Sequence, residues 1–204
     1  MNRRYYSMER RSATETKTRE RIVRATVALH AQHGARATTY AMIAKRAQVA
    51  PQTVYNHFPD DTALIGACTG HVNDRAPSLD AAAILSPPTV PARLKRLAEA
   101  VFARHAYMAP WLRWHEAAQI PALKAVVADS HDGLRKLIET TVAPDHEPSA
   151  DFVDAAFVFL DFPAWQALTR GRSSAEAARV AGQCLVDLLP RLTRSSPRSR
   201  RKPA

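Results

Sequence analysis

The chain has 204 residues, 46% of them hydrophobic, and a formal charge of +10. Its ends are basic and its middle is not: residues 1–59 hold eleven Lys/Arg against three acids, residues 60–190 twelve against sixteen, and residues 191–204 six against none. A signal peptide is excluded by the lack of an apolar run in the arginine-rich start, and a bilayer span by the lack of a long uncharged segment, so a cytoplasmic protein with no membrane partner is expected.

Nearly every stretch carries the helical period and none alternates like a strand, so the fold class is all-α. Residues 1–16 read as a disordered basic arm. From Arg19 to His33, the residues Ile22, Ala25, Thr26 and Leu29 fall at i, i+3, i+4 and i+7 before the stop signal Gly34. Thr38 and Thr39 offer caps to a second helix, Tyr40–Ala47, with Ile43 and Ala47 on one face. Pro51 suits the first turn of a third helix running to about Phe58, and Asp60 can cap a fourth from Asp61 to about Asn73. Residues 76–91 read as a loop around a short helical piece. Helices are expected at 91–108, 110–118, 121–142, 149–170 and 173–189, and the tail 191–204 is too polar to fold. The distant Cys68 and Cys184 form no CxxC pair and read as small buried hydrophobes, so no metal or other cofactor is expected.

Two short helices separated by three residues and preceded by a longer one have helix-turn-helix spacing. In the third helix Val54 and Phe58 can dock on Ile43 and Ala47, which leaves Gln52, Tyr55 and Asn56 on another, polar face. The runs Arg21-Ile22-Val23, Ala28-Leu29, Thr38-Thr39, Ile43-Ala44, Ala47 through Phe58 and Ala63-Leu64-Ile65 resemble the tetracycline-repressor (TetR) family of regulators over residues 19–66. The resemblance implies a DNA-binding domain at 17–66 and a ligand-binding and dimerisation domain at 67–190. It implies base contacts from Gln52, Thr53 and Asn56, of which Gln and Asn suit adenine. Phosphate contacts are implied for Thr39, Tyr55 and His57, with added cations from Lys45 and Arg46.

Three departures from the family pattern stand out. Ala50 replaces a capping serine, Gln48 replaces a turn glycine and would have to accept a positive φ, and Asp61 replaces a phosphate-reaching lysine. Arg3, Arg4, Arg10 and Arg11 could substitute for that lost cation.

In the body, Phe152–Leu168 is apolar on nearly all sides, with Pro163 expected to kink it, and Ala177–Leu188 carries one apolar stripe. The resemblance implies a homodimer through Phe152, Phe157, Leu160, Trp165, Val180, Cys184 and Leu188. A concentration of Phe102, His105, Met108, Trp111, Trp114 and His115, with Tyr107 among them, suits a small-molecule effector cavity. The expected function is a homodimeric regulator, a repressor released from operator DNA by its effector. Two rivals are a non-specific architectural DNA binder, suggested by the basic ends, and a metal enzyme. The run His115-Glu116-Ala117-Ala118-Gln119 resembles HExxH but has Gln119 at the second histidine.

Overall fold

The computed structural model describes residues 3–112, 119–143 and 145–195, with side chains placed within 12–190. The protein is helical, with a helix-turn-helix domain and a helical bundle, and it divides into two compact units: Met1–Arg75 with Pro110–Val126, and Ala76–Ala109 with Val127–Ala204.

In the first unit, α1 (Arg3–His33), α2 (Tyr40–Ala47), α3 (Pro51–His57) and α4 (Asp61–Asn73) enclose a core of Ile22, Leu29, Ile43, Val54, Phe58, Leu64 and Cys68. Burial pushes the Cys68 thiol up to about 12, so it remains a protonated, unreactive filler. Thr26 is buried without cost because its hydroxyl donates to the Ile22 carbonyl at 2.9 Å. The first helix begins at Arg3, far before Arg19, so the segment expected to be a disordered arm continues α1.

The unit also reaches beyond the expected boundary at residue 66 and includes 110–126. There Trp111 Nε1 donates to the Val27 carbonyl at 2.9 Å, and Arg36 donates to the Gln119 side chain. No local periodicity could have shown this. The contact that ties 111 to 27 depends on tertiary packing, and Trp111 itself sits in a turn rather than in the helix expected over 110–118. Residues 113–118 lie outside the described residues.

The second unit contains α5 (Ala81–Leu85), α6 (Val90–Met108), α7 (Pro121–Val142) from Val127 onward, α8 (Ala150–Leu160), α9 (Phe162–Leu168) and α10 (Ser174–Leu192). Its core holds Leu94, Leu97, Phe102, Ile138, Phe152, Leu160 and Leu185. Helices α6 and α10 approach closely at Gly182, where an added Cβ would lie 3.1 Å from the Lys95 Cα. Only a residue without a side chain allows that approach without moving backbone.

The helix expected over 149–170 is broken rather than kinked. Asp161 is extended (φ −71°, ψ 161°), and its carboxylate accepts from the Phe162 amide at 2.8 Å to start α9. In an uninterrupted helix the Pro163 ring would clash with the carbonyl four residues back, whereas in a first turn its missing amide costs nothing. The segment is not buried all round either, since Val158 is 64% exposed.

A two-residue-period signal was absent from the sequence, yet His146–Pro148 (β1) pairs antiparallel with Thr193–Ser195 (β2). Three-residue strands are too short to show alternation, and the pairing joins segments far apart in the chain. It also places the first residues of the expected disordered tail in a ladder, while α10 continues past Pro190 to Leu192.

Candidate nucleic-acid interface

The reading helix is short, so its presentation depends on what holds it. Seven residues of α3 gain little from intrahelical bonds alone. Val54 and Phe58 are fully buried against α1, α2 and α4, and the Tyr40 hydroxyl donates to the Phe58 carbonyl at 3.4 Å. The Arg19 guanidinium lies 4.7 Å above the Phe58 ring, where a cation meets the negative face of the π-system.

The turn that aims α3 has the strain foreseen from its sequence. Gln48 takes a left-handed conformation (φ 53°, ψ 49°), and its amide bonds back to the carbonyls of Ala44 and Lys45. Ala50, at the N-cap of α3, supplies no side-chain acceptor, and Pro51 begins the helix instead. Ala50→Ser is therefore expected to stabilise the first unit by about 1 kcal/mol in thermal unfolding. An unchanged midpoint would mean that the new hydroxyl does not reach the α3 amides.

With Val54 turned inward, Gln52 and Asn56 are exposed, and Gln52 Nε2 donates to Asn56 Oδ1 at 3.0 Å. That bond fixes both amides in one orientation. The Gln52 carbonyl oxygen and the Asn56 amide group remain to meet a base edge. Thr53 and His57 are half-buried, and Lys45 and Arg46 are exposed on α2. The Thr39 hydroxyl accepts from the Met42 amide at 3.3 Å, which caps α2 and leaves its own proton to donate.

Sequence reasoning missed Tyr40. Its ring stacks on Tyr55 at 4.5 Å between centroids, which holds Tyr55 in place while leaving it 49% exposed. Burial, reinforced by the Asp61 carboxylate, raises the Tyr40 phenol to about 12. Asp61 thus stands beside a tyrosine that stays protonated. The only clue in the sequence was the aromatic pair at 40 and 55, fifteen positions apart.

The expected effector residues do not come together. Phe102, His105 and Met108 belong to α6 in the second unit, Trp111 belongs to the first, and Trp114 and His115 lie outside the described residues. Phe102 is fully buried core. His105 Nε2 donates to the Leu160 carbonyl at 2.9 Å, and the ring makes an edge contact with Phe162 at 5.5 Å.

Burial holds the His105 imidazole below its usual range, against the opposing pull of the Leu160 carbonyl and Asp161. The unfolded chain then takes up this proton first. The stabilisation is present above the unfolded value near 6.5 and is lost as pH falls through it. His105→Gln is expected to flatten the fall in the thermal midpoint between about pH 7.5 and 5.5. His71, also held low chiefly by burial, keeps its own share. An unaltered pH profile would show that His105 is not the group responsible.

Of the expected dimer residues, Phe152 and Leu160 are fully buried within the chain's own core, so they offer no surface. Phe157, Trp165, Cys184 and Leu188 are half-buried, and Val180 is exposed. Val158, not among the expected residues, is more exposed than any of them. Among the described residues no group of His, Cys, Asp or Glu could hold a metal ion, and no helix is long and apolar enough to cross a membrane. His115 and Glu116 of the near-HExxH run are outside that set.

The family model described as bacterial regulatory proteins, tetR family, matches residues 22–68. A TetR transcription regulator from Haloarcula marismortui is similar in structure, with a TM-score of 0.65 at 15% identity over 88% of this chain and 100% of that one. A TetR-like transcriptional regulator from Rhodococcus sp. RHA1 gives 0.61 at 18%, covering 84% and 94%. The multidrug binding protein EbrR, complexed with malachite green, gives 0.60 at 20%, covering 84% and 98%. No curated protein matches the chain. Together with the helix-turn-helix geometry of α2 and α3, the family match identifies the first unit as the DNA-binding domain of the tetR family of bacterial regulatory proteins.

Proposed function

We propose that the protein is a homodimeric transcriptional repressor that reads operator DNA with α3 and leaves it when a small molecule binds the second unit. The observation that carries this reading is the pair Gln52 and Asn56, exposed and mutually bonded on a helix whose other side is fixed by Val54 and Phe58. Thr53 joins them at the base edges, while Thr39, Lys45, Arg46, Tyr55 and His57 engage phosphates. Phosphate contacts set register, and the amides set sequence choice.

Two-fold assembly is supported by apolar side chains that the chain's own core leaves uncovered on α8 and α10, Val158 at 64% and Val180 at 37% exposure. Phe157, Trp165, Cys184 and Leu188 extend that surface. A dimer presents two reading helices to half-sites about 34–36 Å apart. Effector binding is assigned to α6 around His105 and Met108, by analogy with EbrR, whose structure holds malachite green. The effector would favour a dimer spaced wrongly for the operator, and operator DNA would oppose effector binding by the same factor.

Footprinting of the full chain on DNA flanking its own gene tests the reading. A short protected stretch with two-fold symmetry at near-physiological salt is the expected result. Uniform coating that vanishes with added salt would instead establish a non-specific architectural binder.

A further inference from the structure

Helix α1 is 31 residues long, but its first buried residue is Ile22. Residues 12–21 are exposed apart from a half-buried Thr18, so the N-terminal half of α1 has no packing partner within its unit. A helix in that position gains nothing from burial and is sustained by backbone bonds alone.

Its charge is ordered. Lys17, Arg21 and Arg24 are exposed, and they fall within a narrow arc of the helix. Seven-residue spacing drifts by only about 20° per step, so positions 10 and 3, both arginine, continue the same line along the helical backbone. Glu9, Glu15 and Glu20 all fall outside this arc. From position 3 to position 24 the line spans about 32 Å of helix axis, close to one turn of B-DNA at about 34–36 Å. The run cannot instead form a coiled coil with a second copy. Its best apolar start, Tyr5 and Met8, continues into Ser12 and Glu15 at the next seam positions.

We infer that the N-terminal half of α1 is a second DNA-contacting element, a helical cationic rail along Arg3, Arg10, Lys17, Arg21 and Arg24 that follows the phosphate backbone beside the site read by α3. This rests on the proposal that the first unit binds DNA. It adds affinity and footprint length without adding sequence preference, because phosphates carry no base identity. It also supplies cations that Asp61 cannot provide at the start of α4.

The test uses the full chain with Arg3→Gln, Arg10→Gln and Lys17→Gln together, on a mixed-sequence duplex of about 40 base pairs, long enough for several turns. Each lost phosphate contact lowers the slope of log affinity against log salt by about 0.9, so the slope is expected to fall by about 2 to 3. The charge-keeping variant Arg3→Lys, Arg10→Lys, Lys17→Arg should retain the wild-type slope. A glutamine variant with an unchanged slope, or a charge-keeping variant that loses it equally, overturns the rail. Because this duplex contains no operator, the result stands apart from operator reading. That reading fails separately if the wild-type chain enriches no sequence from a random pool.

Discussion

Phe58→Ala is expected to unfold the DNA-binding unit under conditions in which the wild-type chain is stable, with a loss of about 3–5 kcal/mol. The ring is fully buried at the end of α3, packed in the core that joins α1, α2 and α4, and covered by the Arg19 guanidinium. Few other contacts hold so short a helix. A typical domain has about 5–15 kcal/mol in total, so this change consumes a third or more of it. Thermal unfolding followed by helical signal should show an early transition for the first unit, accompanied by loss of DNA binding. Tyr40→Phe removes only the 3.4 Å bond to the Phe58 carbonyl and should shift the midpoint much less. Equal losses in the two variants would mean that the α3 end is held by the hydrogen bond and not by the ring.

Asn56→Ala is expected to reduce the preference for operator over scrambled DNA by about 1–3 kcal/mol, roughly 5- to 150-fold. Two effects combine in that loss. The Asn56 amide no longer meets a base, and Gln52 loses the partner that fixes its orientation at 3.0 Å. Competition binding with both duplexes at one salt concentration measures the ratio. Lys45→Ala should weaken both duplexes alike and leave the ratio intact, as expected for a phosphate contact. A preserved ratio in Asn56→Ala would move the reading face elsewhere on α3.

Much of the first unit was legible because its signals are local. Capping residues, a turn, a first-turn proline and the 3.6-residue period lie within a few positions of the structure they specify. Thr39, Gln48, Pro51 and Asp60 all take the backbone roles their chemistry implies. The same local logic failed for α1. An exposed, charged segment looks like a loose arm, and its helicity is inherited from the packed half beyond Ile22 through uninterrupted backbone bonds.

In the second unit the sequence determined the helices but not their partners. An apolar stripe states that a face is buried and is silent on what buries it. Phe152 and Leu160 satisfy their stripes inside the chain, whereas Val158, two positions before Leu160, remains exposed.

The sequence by itself thus determined the all-α class, the helix-turn-helix and the polar face of α3, since periodicity, caps and turn residues act over one or two helical turns. Only the tertiary structure decided that Tyr40 supports Tyr55, that Trp111 docks on the Val27 carbonyl, that His146–Pro148 pairs with Thr193–Ser195, and which apolar residues stay uncovered. Each of these depends on residues distant in sequence meeting in space, and local periodicity carries no information about such meetings.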